Sequence, residues 1–244
     1  MARILITGST DGLGRAAAEA LLDQGHEVVV HARNDSRASA ISSLTDRGAD
    51  LVIADLAERQ AVLRAAAELD AGPRIDAVIH NAGVISGASV LPVNVVAPYL
   101  FTALLGTPTR HVYLSSGMHR GGKPTLDGLD WNGERETASY STSKILVAAL
   151  SAAVADRWAP DVLANAVDPG WVATKMGGAG APDDFDLGHE TQERLATDPE
   201  LRITGGYWHH GRQQQPAAPV SDPTFRERLL TTLADATGVP LHDR

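Results

Sequence analysis

Tyr140 and Lys144, four positions apart in "YSTSK", are the residues whose types and spacing most directly suggest chemistry. In a helix that spacing puts both side chains on one face, one turn apart. An ammonium beside a phenol favours the phenolate and draws its pKa down from about 10 towards the working range, which makes the tyrosine a usable acid or base. Such a pair alone is common on helices, so its surroundings must decide. A second pattern stands at the start of the chain, where "LITGSTDGLG" passes from an apolar run through Gly8, Gly12 and Gly14 directly into "RAAAEALL". A strand that turns through glycines into a helix gathers backbone N–H groups and the positive end of the helix dipole at one point, which suits a phosphate. Without Cβ atoms the backbone can turn tightly and a pyrophosphate can come close. The next apolar run ends "VVVHARND", which puts Arg33 where a dinucleotide fold meets the adenosine ribose. An acid there would hold the ribose hydroxyl of NAD, whereas a guanidinium pairs with the extra phosphate of NADP. NADP(H) is therefore expected over NAD(H), with Asp35 two residues further on as the contrary signal.

The elements that must carry these residues follow a regular rhythm. Short β-branched runs, "ARILIT", "EVVVHA", "ADLVIA", "AVIHNA", "HVYLSS" and "VLANAVDP", alternate with longer Ala/Leu-rich segments such as "GRAAAEALLDQG", "DSRASAISSLTDRG", "ERQAVLRAAAELD", "PVNVVAPYLFTALL" and "YSTSKILVAALSAAVADRW". That alternation predicts an α/β fold with a parallel sheet and crossover helices. Two polar, Gly- and Pro-rich stretches interrupt it, residues 117–139 and about 175–215, and both are expected to cover a substrate. "FRERLLTTLADATG" predicts an amphipathic C-terminal helix whose Leu229, Leu230 and Leu233 either pack on the body or pair two copies into a homodimer.

Composition narrows the function classes. With 244 residues, 43% hydrophobic and 21% charged, the chain suits one globular domain spanning 1–244. A formal charge of −9 argues against general affinity for nucleic acid or anionic membranes. The absence of cysteine excludes disulfides, thiolate zinc sites and thiol nucleophiles. "MARILITG" is too short an apolar stretch for a signal peptide or a membrane span, so a cytoplasmic location is expected. No metal is expected either, since His209 and His210, as neighbours in a strand, would face opposite ways and no HExxH pattern occurs. His119 reads as a solvated loop residue or a substrate contact, and Trp171 and Trp208 as pocket lining or packing.

The motifs "TGSTDGLG", "NAG" at 81–83, Asn94, "LSSG", "YSTSK" and "DPGWVAT", in this order, resemble the short-chain dehydrogenase/reductase family over nearly the whole chain. The glycine spacing is similar to its single-domain branch, and "LDGLDW" with "TGGYWHHGR" to its retinol-dehydrogenase-like and WW-domain-oxidoreductase-like subgroup. The resemblance implies a Rossmann-type, doubly wound, three-layer α/β domain with a largely parallel sheet of about seven strands. It implies Tyr140 as proton donor or acceptor, Ser116 as the hydrogen-bond partner of the substrate oxygen, Lys144 on the nicotinamide ribose, and Asn94 kinking its helix and holding a relay water. The implied cofactor contacts are Gly8, Ser9, Thr10, Asp11, Gly12, Leu13, Gly14, Arg33, Asp55 and Leu56 towards the adenosine and phosphates, then Asn81, Ala82 and Gly83. Pro169, Gly170, Val172 and Thr174 would surround the nicotinamide, beside Tyr140 and Lys144. The activity implied is hydride transfer between NADP(H) and a small-molecule carbonyl or alcohol. A non-catalytic NADP-binding sensor or scaffold is the rival reading; dehydration or epimerisation of a nucleotide sugar fits the glycine spacing poorly.

Overall fold

In the computed structural model, which describes residues 1–243, the short apolar runs join into one sheet. Its strands are β1 (Arg3–Ile6), β2 (Glu27–Ala32), β3 (Asp50–Ile53), β4 (Ala77–His80), β5 (Arg110–Leu114), β6 (Leu163–Asp168), β7 (Tyr207–His209) and β8 (Arg212–Gln214). Their spatial order is β3-β2-β1-β4-β5-β6-β7-β8, with β1 to β7 parallel and β8 antiparallel to β7. The chain starts mid-sheet at β1, winds outward to β3, then crosses to the other side of β1 as β4. This reversal of direction opens a crevice at the carboxyl ends of β1 and β4, where ligands of such sheets bind. The sheet has eight strands where about seven were expected. The tail "TGGYWHHGRQQQ" folds into a hairpin of two three-residue strands, too short for alternation to reveal.

The helices are α1 (Gly12–Asp23), α2 (Asp35–Ala38), α3 (Ser42–Thr45), α4 (Arg59–Ala71), α5 (Ala97–Leu104), α6 (Tyr140–Trp158), α7 (Phe185–Thr197) and α8 (Pro223–Thr237). Successive strand residues face opposite sides, so the sheet feeds two apolar cores. Leu5, Val29, Val78 and Tyr113 belong to the core that includes α4, α5, α6 and α8; Ile4, Ile6, Val28, Val30 and Ile79 belong to the one that includes α1 and α7. Every residue from Thr142 to Ala155 of α6 is buried. A helix apolar on all sides must be enclosed, and α6 is, by β5 and β6, by α8 and by the turn at residues 92–96. Residues 35–48 form no continuous helix. Hydroxyls there bond back to main-chain carbonyls, Ser39 Oγ to Asp35 and Thr45 Oγ1 to Ser42, and α2 and α3 are left as single turns.

Of the polar stretch 117–139, the first five residues form a 3-10 turn, Gly117–Gly121, beside the end of β5. The remainder turns away: Leu126, Trp131 and Ala138 are buried in the core, and Arg59 Nη2 donates to Asn132 Oδ1 at 2.6 Å. The C-terminal helix packs on the body, with Phe225, Leu229, Leu230 and Leu233 buried, and the chain beyond it is fastened by Tyr99 OH to the Val239 carbonyl (2.6 Å) and Trp158 Nε1 to the His242 carbonyl (2.8 Å). Among the described residues no helix is long and apolar enough to cross a membrane. Because Leu233 is fully buried between α8 and the body, Leu233→Ala should lower the unfolding free energy by about 2–5 kcal/mol in urea titration. A loss below about 1 kcal/mol would show that α8 does not share the core.

Candidate active site

The crevice above β1 and β4 is built by close backbone approach. A Cβ on Gly8, whose φ is +69°, would lie 2.8 Å from Ala82 Cα, and one on Gly14 would lie 2.2 Å from Asn81 Nδ2. Asn81 Nδ2 in turn donates to the Thr7 and Gly8 carbonyls at 2.9 and 3.2 Å, and the Ala82 N–H to Thr7 Oγ1 at 3.1 Å. The "NAG" and glycine motifs are thus two halves of one joint. His31, on β2, braces it from below: Nδ1 accepts the Gly8 N–H at 2.9 Å and Nε2 donates to the Ala54 carbonyl at 2.8 Å. Burial holds the His31 pKa below its ordinary value, which keeps Nδ1 free to accept.

The joint floors a cleft of about 430 Å³ that runs from Arg33, Arg37, Asp55 and Leu56 at one end to Tyr140 and Lys144 at the other. Thr10, Asp11, Gly12, Leu13, Asn81, Ala82, Gly83, Pro169 and Thr174 also line it. Other expected contacts serve the frame. Ser9 is fully buried, with its hydroxyl bonded to the Ile6 carbonyl and accepting the His31 N–H. Gly14 is the contact with Asn81, and Val172 is buried and bridged to Asp183 beside Gly170.

At the far end, α6 begins at Tyr140, with Ser139 as its N-cap. Lys144 is 4% exposed, donates from Nζ to the Leu114 carbonyl at 2.6 Å, and lies 5.3 Å from the centre of the Tyr140 ring. The Ser116 side chain lies close enough to the Tyr140 phenol to favour its ionised form. Of the serine pair, Ser115 lines the cleft and donates from Oγ to the Lys144 carbonyl at 2.9 Å, while Ser116 Oγ accepts the Met118 N–H at 3.2 Å. Burial pulls Lys144 down to about 8, with Asp168 opposing that shift. The sequence expectation for the phenol is corrected here: burial, with the Asp168 charge, pushes Tyr140 above its ordinary value, and the nearby Ser116 side chain is the partial counterweight. Asn94 lies in a π-helical turn, Pro92–Val96, where its side chain accepts from the Val84 N–H (2.8 Å) and donates to the Val84 carbonyl and Ser143 Oγ (both 2.9 Å). It staples the Gly83–Val84 stretch to α6.

Three participants escaped the sequence reading. Arg37 lines the cleft beside Arg33 and donates to Thr10 Oγ1 at 2.9 Å; the turn capped by Asn34 swings it there. Lys175, next to Thr174, pairs with Asp11, and Met176 follows it into the lining. A second basic residue four positions after Arg33 and the "TKM" run were the available signals. The tandem histidines also differ from expectation. His210 has left the strand with φ +46°, so the His209 and His210 rings stack at 3.9 Å instead of facing apart. His119 is fully buried, Trp208 is core, and Trp171 is 60% exposed near the cleft.

The donors suit a nicotinamide dinucleotide: guanidinium groups at one end, the start of α1 in the middle, and an ammonium beside a phenol at the other. Comparison with known proteins agrees. The family model for short chain dehydrogenase matches residues 2–101. The chain is 37% identical to the short-chain dehydrogenase chyC of Penicillium rubens over 99% of both chains. It is 34% identical to a Streptomyces protein described as a daunorubicin C-13 ketoreductase, DnrU, over 98% of this chain and 92% of that one. A solved structure from Beutenbergia cavernae, described as an NAD(P)-dependent gluconate 5-dehydrogenase with bound NADP, superposes with a TM-score of 0.70 at 24% identity, covering 86% of this chain and 94% of that one. With its Rossmann-like sheet and near full-length relatives, the chain belongs to the short-chain dehydrogenase family of oxidoreductases.

Proposed function

We propose that this protein is an NADP(H)-dependent reductase of apolar ketones, working through Ser116, Tyr140 and Lys144. The observation that carries this reading is the Tyr140 phenol, with the Ser116 side chain beside it and the buried Lys144 one helical turn away, at the end of a dinucleotide-sized cleft. A nicotinamide cofactor supplies or accepts hydride when bound there. The chain's residues supply the proton chemistry. Ser116 donates to the substrate oxygen, Tyr140 passes its proton to that oxygen as negative charge develops, and the Lys144 ammonium stabilises the phenolate until water reprotonates it. Asn94 holds the Gly83–Val84 wall in place. The likeness to a described ketoreductase supports the reduction direction. Met118, Met176 and Trp171, 54%, 45% and 60% exposed, lie in or beside the segments bordering Ser116 and the cleft and suit an apolar substrate body.

At the other end, Arg33 and Arg37 support preference for the additional phosphate of NADP. NADPH should bind at least tenfold tighter than NADH, a gap of about 1.4 kcal/mol, and Arg33→Ala and Arg37→Ala should each narrow it in fluorescence titration. Equal binding of the two cofactors would reject the preference.

Tyr140→Phe should lower the kcat for reduction of phenanthrenequinone, an apolar diketone, by about a hundredfold or more while NADPH still binds. Wild-type turnover in that variant would reject Tyr140 as the acid, and binding without turnover in the unaltered protein would favour the sensor reading. The pH dependence has a defined sign. Reduction needs Lys144 charged and Tyr140 protonated, and Lys144 is the first of the two to lose its proton, so kcat/KM should be level below and fall as pH rises through about 8. A reduction rate that climbs over that interval would contradict the assignment.

A further inference from the structure

His119 lies three residues after Ser116, in the 3-10 turn, and is fully buried. Its ring nitrogens have separate partners. Nε2 is 3.0 Å from the Ala217 backbone N–H and can only accept there. A neutral imidazole that accepts at Nε2 carries its proton on Nδ1, which is 2.8 Å from the Ser116 carbonyl oxygen. The Tyr207 hydroxyl donates to the same carbonyl at 3.0 Å, lies 3.0 Å from His119 Nδ1, and its ring packs on the imidazole with centroids 4.5 Å apart. Two side-chain donors therefore converge on a carbonyl that also accepts the His119 N–H at 2.9 Å, so three donors share its two lone pairs. The later chain is fastened to the same turn again by Arg120 Nη2, which donates to the Gln215 carbonyl at 2.6 Å.

That carbonyl belongs to the peptide joining Ser116 to Gly117. A Cβ on Gly117 would meet Asp168 Oδ2 at a tight 3.1 Å, and glycine also leaves the adjoining backbone free to rotate. A shift of this turn that displaced the Ser116 Cα would move the Ser116 hydroxyl relative to Tyr140. The local restraint on Ser116 Oγ is a 3.2 Å hydrogen bond from the Met118 N–H. We propose that His119 and Tyr207 are positioning residues for the reaction: by donating together to the Ser116 carbonyl they lock the serine against the phenol, and through Ala217 they make the chain beyond β8 part of the active site. Neither needs to touch substrate; both act through Ser116.

The inference rests on Ser116 as the partner of the substrate oxygen, so the test separates the two ideas. With phenanthrenequinone as probe, Tyr207→Phe, which removes a single oxygen, should lower kcat by about tenfold, the scale of one buried hydrogen bond, with KM and the NADPH Kd nearly unchanged. His119→Asn, whose amide can donate from the Nδ1 position, should keep most of kcat. His119→Gln, which can reach Ala217 but not the Ser116 carbonyl, should lose about a hundredfold. Equal losses in the Asn and Gln variants, or an unchanged kcat in Tyr207→Phe, would show the cluster to be packing alone. If the His119 variants do not fold, Tyr207→Phe decides the matter. Undiminished turnover by Ser116→Ala would instead remove the reading of Ser116 on which the inference stands.

Discussion

A lysine ammonium enclosed in the protein interior must be satisfied where it lies, because an uncompensated buried charge is among the costliest features a fold can hold. Lys144 meets that demand through the Leu114 carbonyl, and the position of that carbonyl has wide effects. It ends β5 one residue before the serine pair, so the same bond that quiets the ammonium fixes the distance between α6 and the strand carrying Ser116. Ser115 adds a second tie in the opposite direction, to the Lys144 carbonyl. The enclosure of α6 on all sides is what forces this arrangement: a helix with one wet face would have left the ammonium to water. Burial also sets the chemistry, because it lowers the lysine and raises the tyrosine together.

The frame was legible in the sequence because its signals are repeated and local. β-branched runs between Ala/Leu-rich segments marked six strands, and the glycine turn and "YSTSK" marked the middle and one end of the cleft. What escaped depends on contacts between distant segments. The tyrosine shift was read with the wrong sign because spacing displays the neighbouring ammonium but not the depth of burial. The serine-rich stretch 35–48 has helical length, yet its hydroxyls compete for the backbone and break it into turns. His119 looked like a loop residue, and the two groups that bury it, Tyr207 and Ala217, lie about ninety positions away. Stacking of His209 on His210 required a left-handed residue in a hairpin too short to be seen.

The Arg33 end of the cleft follows a different logic from the Tyr140 end, since its charges are shared and partly exposed. Asp11 caps α1 by accepting the Gly12 N–H and is faced by both Lys175 and Arg37, which hold its carboxyl below the usual carboxylate range. Lys175 belongs to the segment after β6, so this ion cluster joins that segment to the glycine turn across the mouth of the cleft. Thr174 supports the same closure, since a Cβ on Gly12 would lie 3.3 Å from its methyl group.

The clasp around Ser116 has a consequence for how such a chain can be divided. A fragment ending after β6 would contain Ser116, Tyr140, Lys144 and the whole glycine turn, and by motif inspection it would pass as complete. It would lack Tyr207 and Ala217, and with them the partners that hold the serine peptide and the His119 ring. Ser116, Tyr140 and Lys144, and the groups that hold the Ser116 peptide, are thus encoded in separate stretches of chain that the fold brings together.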